Sequence, residues 1–142
     1  MTETRSIDNK ILIGETCLHL SQGRTVKLRA KGNSMRPFIH GNKDILVLSP
    51  VNSLRKGDIA LARIDGKRYV IHRVIDIKDD IVTLMGDGNL YQTEECFRSD
   101  IYGIVEKAIR GKKERNLKST CYHIMALAWR TMLPIRRIKA KL

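Results

Sequence analysis

Apolar and polar positions alternate along most of the middle of the chain. Residues 26–30, Val-Lys-Leu-Arg-Ala, change character at every step, the period-two pattern of a half-buried strand. Residues 44–49 read as a second strand, stopped by Pro50. Residues 57–63 and 69–75 form a strand pair around the turn Asp65-Gly66, and residues 81–85 return after a turn at Lys78-Asp79-Asp80. Gly86-Asp87-Gly88-Asn89 is itself a strong turn signal, because Gly and Asn tolerate positive φ. Residues 100–105 give a final strand. Helical spacing is found only towards the ends. Ser6 or Asp8 is placed to cap a helix running through Ile11, Leu12, Glu15, Leu18 and His19, with Gly23 as its stop. Residues 108–118 read as a charged linker, and residues 120–133 as an apolar-rich helix broken by Pro134. The expected fold class is therefore mainly β (α+β): a β-sheet core with a short N-terminal helix and a C-terminal helix. The expected segments are 1–24 (helical), 25–106 (β core) and 107–142 (basic linker, amphipathic helix and tail).

Composition narrows the class. A chain of 142 residues, 42% hydrophobic and 30% charged, suits one domain with a moderate core. Cys17, Cys96 and Cys121 are widely spaced and odd in number, which argues against a disulfide framework and a zinc site and fits a reducing compartment. The start is polar, without the charged-then-apolar pattern of a secretory signal, and no stretch approaches the roughly 20 apolar residues that span a bilayer. A cytoplasmic protein is expected. The formal net charge is +12 and is unevenly distributed: residues 107–142 hold 11 Lys/Arg against Glu114 alone. Basicity is thus a property of the tail. A tail of this kind suits a solvated face, an acidic partner or anionic lipid, and nucleic acid is not the expected partner. The bland expectation docks the C-terminal helix on the sheet; the sharper one lays it on a membrane surface, with Trp129, Arg136, Arg137, Lys139 and Lys141 at the headgroups.

Candidate chemistry is concentrated in two stretches. In Lys31-Gly32-Asn33-Ser34-Met35-Arg36-Pro37, a serine follows a strand on a turn that Gly32 and Pro37 constrain, which presents its hydroxyl rather than packing it. His72 lies within the apolar alternation Val70-Ile71-His72-Arg73-Val74. A serine hydroxyl attacks poorly until a base takes its proton, and histidine is the side chain best tuned to do so near neutral pH. His40 is a base by type, but it sits in a loop six residues from Ser34, and His72 is preferred.

These stretches, with Gly57-Asp58-Ile59 and Gly86-Asp87-Gly88-Asn89 in the same order, resemble the peptidase superfamily of signal peptidase I and the LexA-type repressors. The resemblance covers about residues 25–106. It implies that Ser34 is the nucleophile. The bacterial signal peptidase and LexA branches use a lysine base, whereas the endoplasmic-reticulum and archaeal type places histidine before arginine, as His72-Arg73 does here. It further implies that Asp87 orients the histidine. The second aspartate of that box falls where Gln92 and Thr93 stand, so Glu94, Glu95 and Asp100 are the alternatives. The backbone N–H of Ser34 is the expected oxyanion donor, with Asn33 as a candidate second; the family's hydroxyl two residues before the nucleophile is replaced by Gly32. Met35 and Pro37 are expected to line the substrate cleft. No cofactor or metal is implied.

The implied function is a serine endopeptidase that cleaves a precursor or leader peptide. The partner is a peptide or protein substrate bound by strand addition, with small side chains before the cut. The rival from another class is a catalytically weak or inactive module of the same fold that grips an extended peptide, or that binds nucleic acid or anionic membrane through its basic tail.

Overall fold

The computed structural model describes residues 9–142, with side chains from Ile13 onward. The expected helix caps Ser6 and Asp8, and the Ile11 and Leu12 side chains, lie outside the described residues. Helix α1 spans Asn9–Ser21 and ends before Gly23. Strands β1 (Val26–Arg29), β2 (Ile45–Ser49), β3 (Ile59–Ile64), β4 (Arg68–Lys78), β5 (Ile81–Met85) and β6 (Glu94–Phe97) follow. After a single 3-10 turn come β7 (Ile101–Arg110), β8 (Lys113–Asn116) and helices α2 (Thr120–Thr131) and α3 (Leu133–Lys141). All pairings are antiparallel, in the order β1-β2-β7-β3-β4-β5-β6. The chain is mainly β, with helices before and after the sheet.

Strand β7 organises the sheet. One edge carries β2, through residues 104–109. The other carries β3 near Ile101–Ile104 and β8 further on, at residues 107–110. Strand β3 is buried on both faces, and its alternation divides the interior in two. Ile59 and Leu61 join Leu28, Leu46, Leu48 and Val105 in one cluster, which Leu20 of α1 completes. Ala60, Ala62 and Ile64 join Val74, Val82, Leu84 and Ile104 in the other. Leu61 is fully buried; truncating such a residue to Ala typically costs about 2–5 kcal/mol.

Three expectations are corrected. Residues 108–118 are not a linker: β7 runs on to Arg110 and β8 folds back on it, so the expected boundary at 107 falls inside a strand. Strand β8, Lys-Glu-Arg-Asn, carries no apolar alternation. Its anchor is polar: Arg115 donates to the Asp44 carboxylate at 2.7 Å and to the Phe38 carbonyl at 2.6 Å. Strand β6 was not visible either, because its inward positions are Glu94 and Cys96. Finally, Pro134 does not end the helical region. It stands in the first turn of α3, where a missing N–H costs nothing. Among the described residues no helix is long and apolar enough to cross a membrane.

Candidate active site

Strand β1 delivers the chain into a tight turn. The Ala30 N–H donates to the Asp44 carbonyl, and the Asn42 N–H returns a bond to the Ala30 carbonyl at 2.7 Å. Gly32 then takes φ +72°, a left-handed value that side-chain-bearing residues avoid. A tight turn follows, closed by Arg36 N–H to the Asn33 carbonyl and by Phe38 and Ile39 N–H groups to the Met35 carbonyl. Met35, Phe38 and Ile39 are buried, so the turn is bolted to the core by its apolar residues while Ser34 remains half-buried. The Arg36–Pro37 peptide is cis.

The loop after β5 forms the back wall of this turn. Gly88 N–H donates to the Ser34 carbonyl at 2.8 Å, and Asp87 N–H points at the Met35 sulfur at 3.4 Å. Gly86 is needed for contact: a Cβ there would lie 2.5 Å from the Ser34 carbonyl oxygen.

Strand β4 brings in a histidine. His72 pairs across the ladder with Ala60, whose small side chain leaves the imidazole room, and it is 7% exposed. Its Nε2 stands 3.0 Å from Ser34 Oγ, and its Nδ1 stands 2.6 Å from Glu94 Oε1. An ionised carboxylate can only accept, which assigns the proton to Nδ1 and leaves Nε2 to accept from the serine hydroxyl. Glu94 is buried at the start of β6, opposite Leu84. Its second oxygen makes no hydrogen bond among the described residues; an Arg68 guanidinium nitrogen is 3.9 Å from it. Ser34, His72 and Glu94 thus form one continuous polar chain across three separate elements.

Asp87, the first-choice orienting acid, is elsewhere. Both its oxygens accept from Arg73, from Nε and Nη2 at 2.8 Å each, and Arg73 Nη1 donates to the Gly57 carbonyl at 2.7 Å. That carboxylate is engaged with Arg73, and the Nδ1 of His72 is bonded to Glu94 instead. Glu94, one of the alternatives, holds the position instead. Glu95 is its exposed neighbour, as strand alternation requires, and Asp100 caps the 3-10 turn by accepting from Phe97 N–H. Asn33 is exposed beside Ser34. His40 lies in the Asp44 cluster, where its backbone N–H donates to that carboxylate.

A cavity of about 270 Å³ opens beside Ser34 and His72, walled by Leu28, Met35, Leu46, Leu61 and Ile71. Met35 lines it; Pro37 is exposed and is not part of the lining. The cavity runs between two strand edges. Strand β1 is the end of the sheet, and β5 pairs only residues 73–78 of β4, so residues 68–72 have β3 as their one strand partner among the described residues. Among the described residues no group of three His, Cys, Asp or Glu is placed to share a metal ion.

Arg68, Arg73 and the inward register of Glu94 are what sequence reasoning missed. Arg73 stands in a motif whose partner was not assigned; the signal for that partner is a charge inside an apolar strand with an opposite charge, Asp87, in the turn just after the neighbouring strand. A family model described as Peptidase S24-like matches residues 1–108. No curated protein matches the chain.

Proposed function

Because the chain belongs to the Peptidase S24-like family, we propose that it is a serine endopeptidase that cuts a precursor or leader peptide, with Ser34 as nucleophile, His72 as base and Glu94 as the acid that orients it. The observation that carries this reading is the hydrogen-bonded chain from Ser34 Oγ through both nitrogens of His72 to Glu94 Oε1. It corresponds to the histidine-base branch of the wider superfamily rather than to the lysine-base branches.

Ser34 Oγ attacks the peptide carbonyl as His72 Nε2 takes its proton, and the imidazolium so formed is stabilised by Glu94 across Nδ1–H. The backbone N–H of Ser34 is the proposed donor to the developing oxyanion. His72 then gives its proton to the leaving amine, and an acyl-enzyme remains on Ser34. Water deprotonated by His72 attacks the ester and restores the serine. The substrate lies extended along β1 and residues 68–72 of β4, adding backbone hydrogen bonds to those edges, and places an apolar side chain in the cavity. Leu28, Leu46 and Leu61 on the wall favour an aliphatic group over a charged one.

The test is a mass-spectrometric survey of peptide termini in cells that express the wild type, Ser34→Ala or His72→Ala, with all three confirmed as folded. New termini that appear with the wild type alone support the assignment and report the cleavage preference. Identical profiles would move the chain to the class of non-catalytic peptide binders.

A further inference from the structure

We propose that the outer side of the C-terminal helix pair is a docking surface for an anionic lipid bilayer. The proposal is independent of the peptidase reading and begins with what the inner sides of α2 and α3 do. The Trp129 indole N–H donates to the Asp87 carbonyl at 2.7 Å, Arg136 donates to the same carbonyl at 2.8 Å, and Arg137 donates to the Leu90 carbonyl at 2.7 Å. Arg136 also stacks on the Trp129 ring at 4.1 Å and Arg137 on Tyr91 at 4.5 Å. Trp129, Arg136 and Arg137, three of the five residues first expected at the headgroups, are therefore turned inward, onto one loop. Both helices look away from that loop on their other side.

That other side is apolar. At 100° per residue, Cys121, Ile124, Met125, Leu127, Ala128 and Thr131 fall on one side of α2; all are exposed and none is charged. On α3, Ile135 and Ile138 are 63% and 62% exposed, and Ile124 on α2 is 62% exposed. Lys139 and Lys141 remain outward and border this strip. From Arg115 to the end of the chain there is no acidic residue.

The occupant must offer both apolar depth and fixed negative charge. A second copy of this chain would bring another strongly basic tail to the same face and be repelled. A nucleic acid would answer the lysines and leave Ile124, Leu127, Ile135 and Ile138 in water. An anionic bilayer answers both, since isoleucine and leucine enter the acyl boundary while lysine ammonium groups stay among the headgroups. A cavity of about 280 Å³ beside α2 adds a place for a headgroup phosphate, lined by Lys56, His123 and Arg130, with Leu127 common to the cavity and the strip. Lys56 is shared there with Asp76, at 3.3 Å.

The experiment is co-sedimentation of the full chain with vesicles of phosphatidylcholine, with and without phosphatidylglycerol, at low and high salt. Wild type should pellet with the anionic vesicles at low salt, and less so as salt rises. Ile124→Gln with Ile138→Gln keeps helix propensity and should lower partitioning at least about tenfold, with melting temperature unchanged. Lys139→Gln with Lys141→Gln should weaken binding to the anionic vesicles. The proposal is overturned if wild type stays in the supernatant, if neutral vesicles bind it equally, or if the double isoleucine variant binds like wild type. That last result would mean charge alone, as for a nucleic-acid binder. It is also overturned if sedimentation velocity shows a dimer that the isoleucine variant dissociates.

Discussion

At the scale of single residues, two acids that look interchangeable in the sequence have different work. Glu94 touches His72, whereas Asp87 neutralises Arg73, whose side chain is 7% exposed. Glu94→Gln should therefore leave the fold intact and lower kcat by about a hundredfold to ten-thousandfold, since an amide in that place no longer stabilises the imidazolium. Asp87→Asn should do the reverse in emphasis. It strips a buried guanidinium of its counter-charge, a loss on the order of 3–5 kcal/mol, and should be read first as a lower melting temperature. Melting curves beside kcat for the two variants check this; equal losses of both quantities in both would sink the assignment. Gly86 is a third case. Its added methyl in Gly86→Ala meets backbone, the Ser34 carbonyl, and so must displace the Ser34 turn. A misplacement of that kind is expected to cost roughly a hundredfold in kcat/KM, checked by steady-state kinetics on protein shown to be folded. Ser34 and His72 were legible in the sequence because a constrained turn and an apolar alternation frame them. Glu94 was visible as an alternative, but Asp87 looked better, because the strand that turns Glu94 inward has no apolar signature.

At the scale of elements, the Ser34 turn is held by parts that lie beyond the family match at residues 1–108. Helices α2 and α3 grip the carbonyls of Asp87, Asn89 and Leu90. The same loop supports Ser34 through Gly86 and Gly88. The chain of contact runs from helix to loop to Ser34. Trp129→Phe removes one N–H donor at about 0.5–1.5 kcal/mol, and Arg136→Ala removes a second donor together with its stacking. Together they should speed hydrogen exchange at Gly88 and lower kcat several-fold, with helix content preserved. Exchange and turnover unchanged from the wild type would show that the helices merely rest there. Little of this was legible. An apolar helix was evident, and docking was the expected arrangement, but the bonds that dock it end on backbone carbonyls, which carry no sequence signal. Strands β1 to β5 and β7 were legible, since apolar residues run through them between clear turn signals; β6 and β8 were not, since they are anchored through Glu94 and Arg115.

At the scale of the whole molecule, Asp44 ties together parts that are distant in sequence. It is fully buried and stands at the entrance to β2. Arg110 of β7 donates to it at 2.6 Å and Arg115 of β8 at 2.7 Å, while Arg115 also holds the Phe38 carbonyl of the serine turn. The positive balance of residues 107–142 looked like a solvated tail; two of its arginines instead close the sheet around one carboxylate. Burial alone would raise the Asp44 carboxyl, but hydrogen bonds from Arg110, the His40 N–H and Arg115 outweigh it and bring the pKa from 3.8 down to about 2. The sign of the linkage follows. A carboxyl depressed in the folded state contributes its stability in full above the unfolded value of 3.8 and loses it as pH falls through about 2. The contribution is roughly 1–2 kcal/mol once solvent screening beside the part-exposed Arg110 is allowed for. Acid unfolding of a chain with net charge +12 also has a second cause, mutual repulsion, which grows as other carboxylates are neutralised. Salt separates the two. Repulsion between surface charges is screened, whereas the buried pairs are screened much less. Denaturant melts of the wild type between pH 4 and pH 2 should therefore keep a pH slope in high salt, and Asp44→Asn, already less stable at pH 7, should lose that part of the slope. A slope that vanishes in salt for the wild type, or that persists unchanged in the variant, would place the acid sensitivity in surface repulsion and not in the Asp44 cluster.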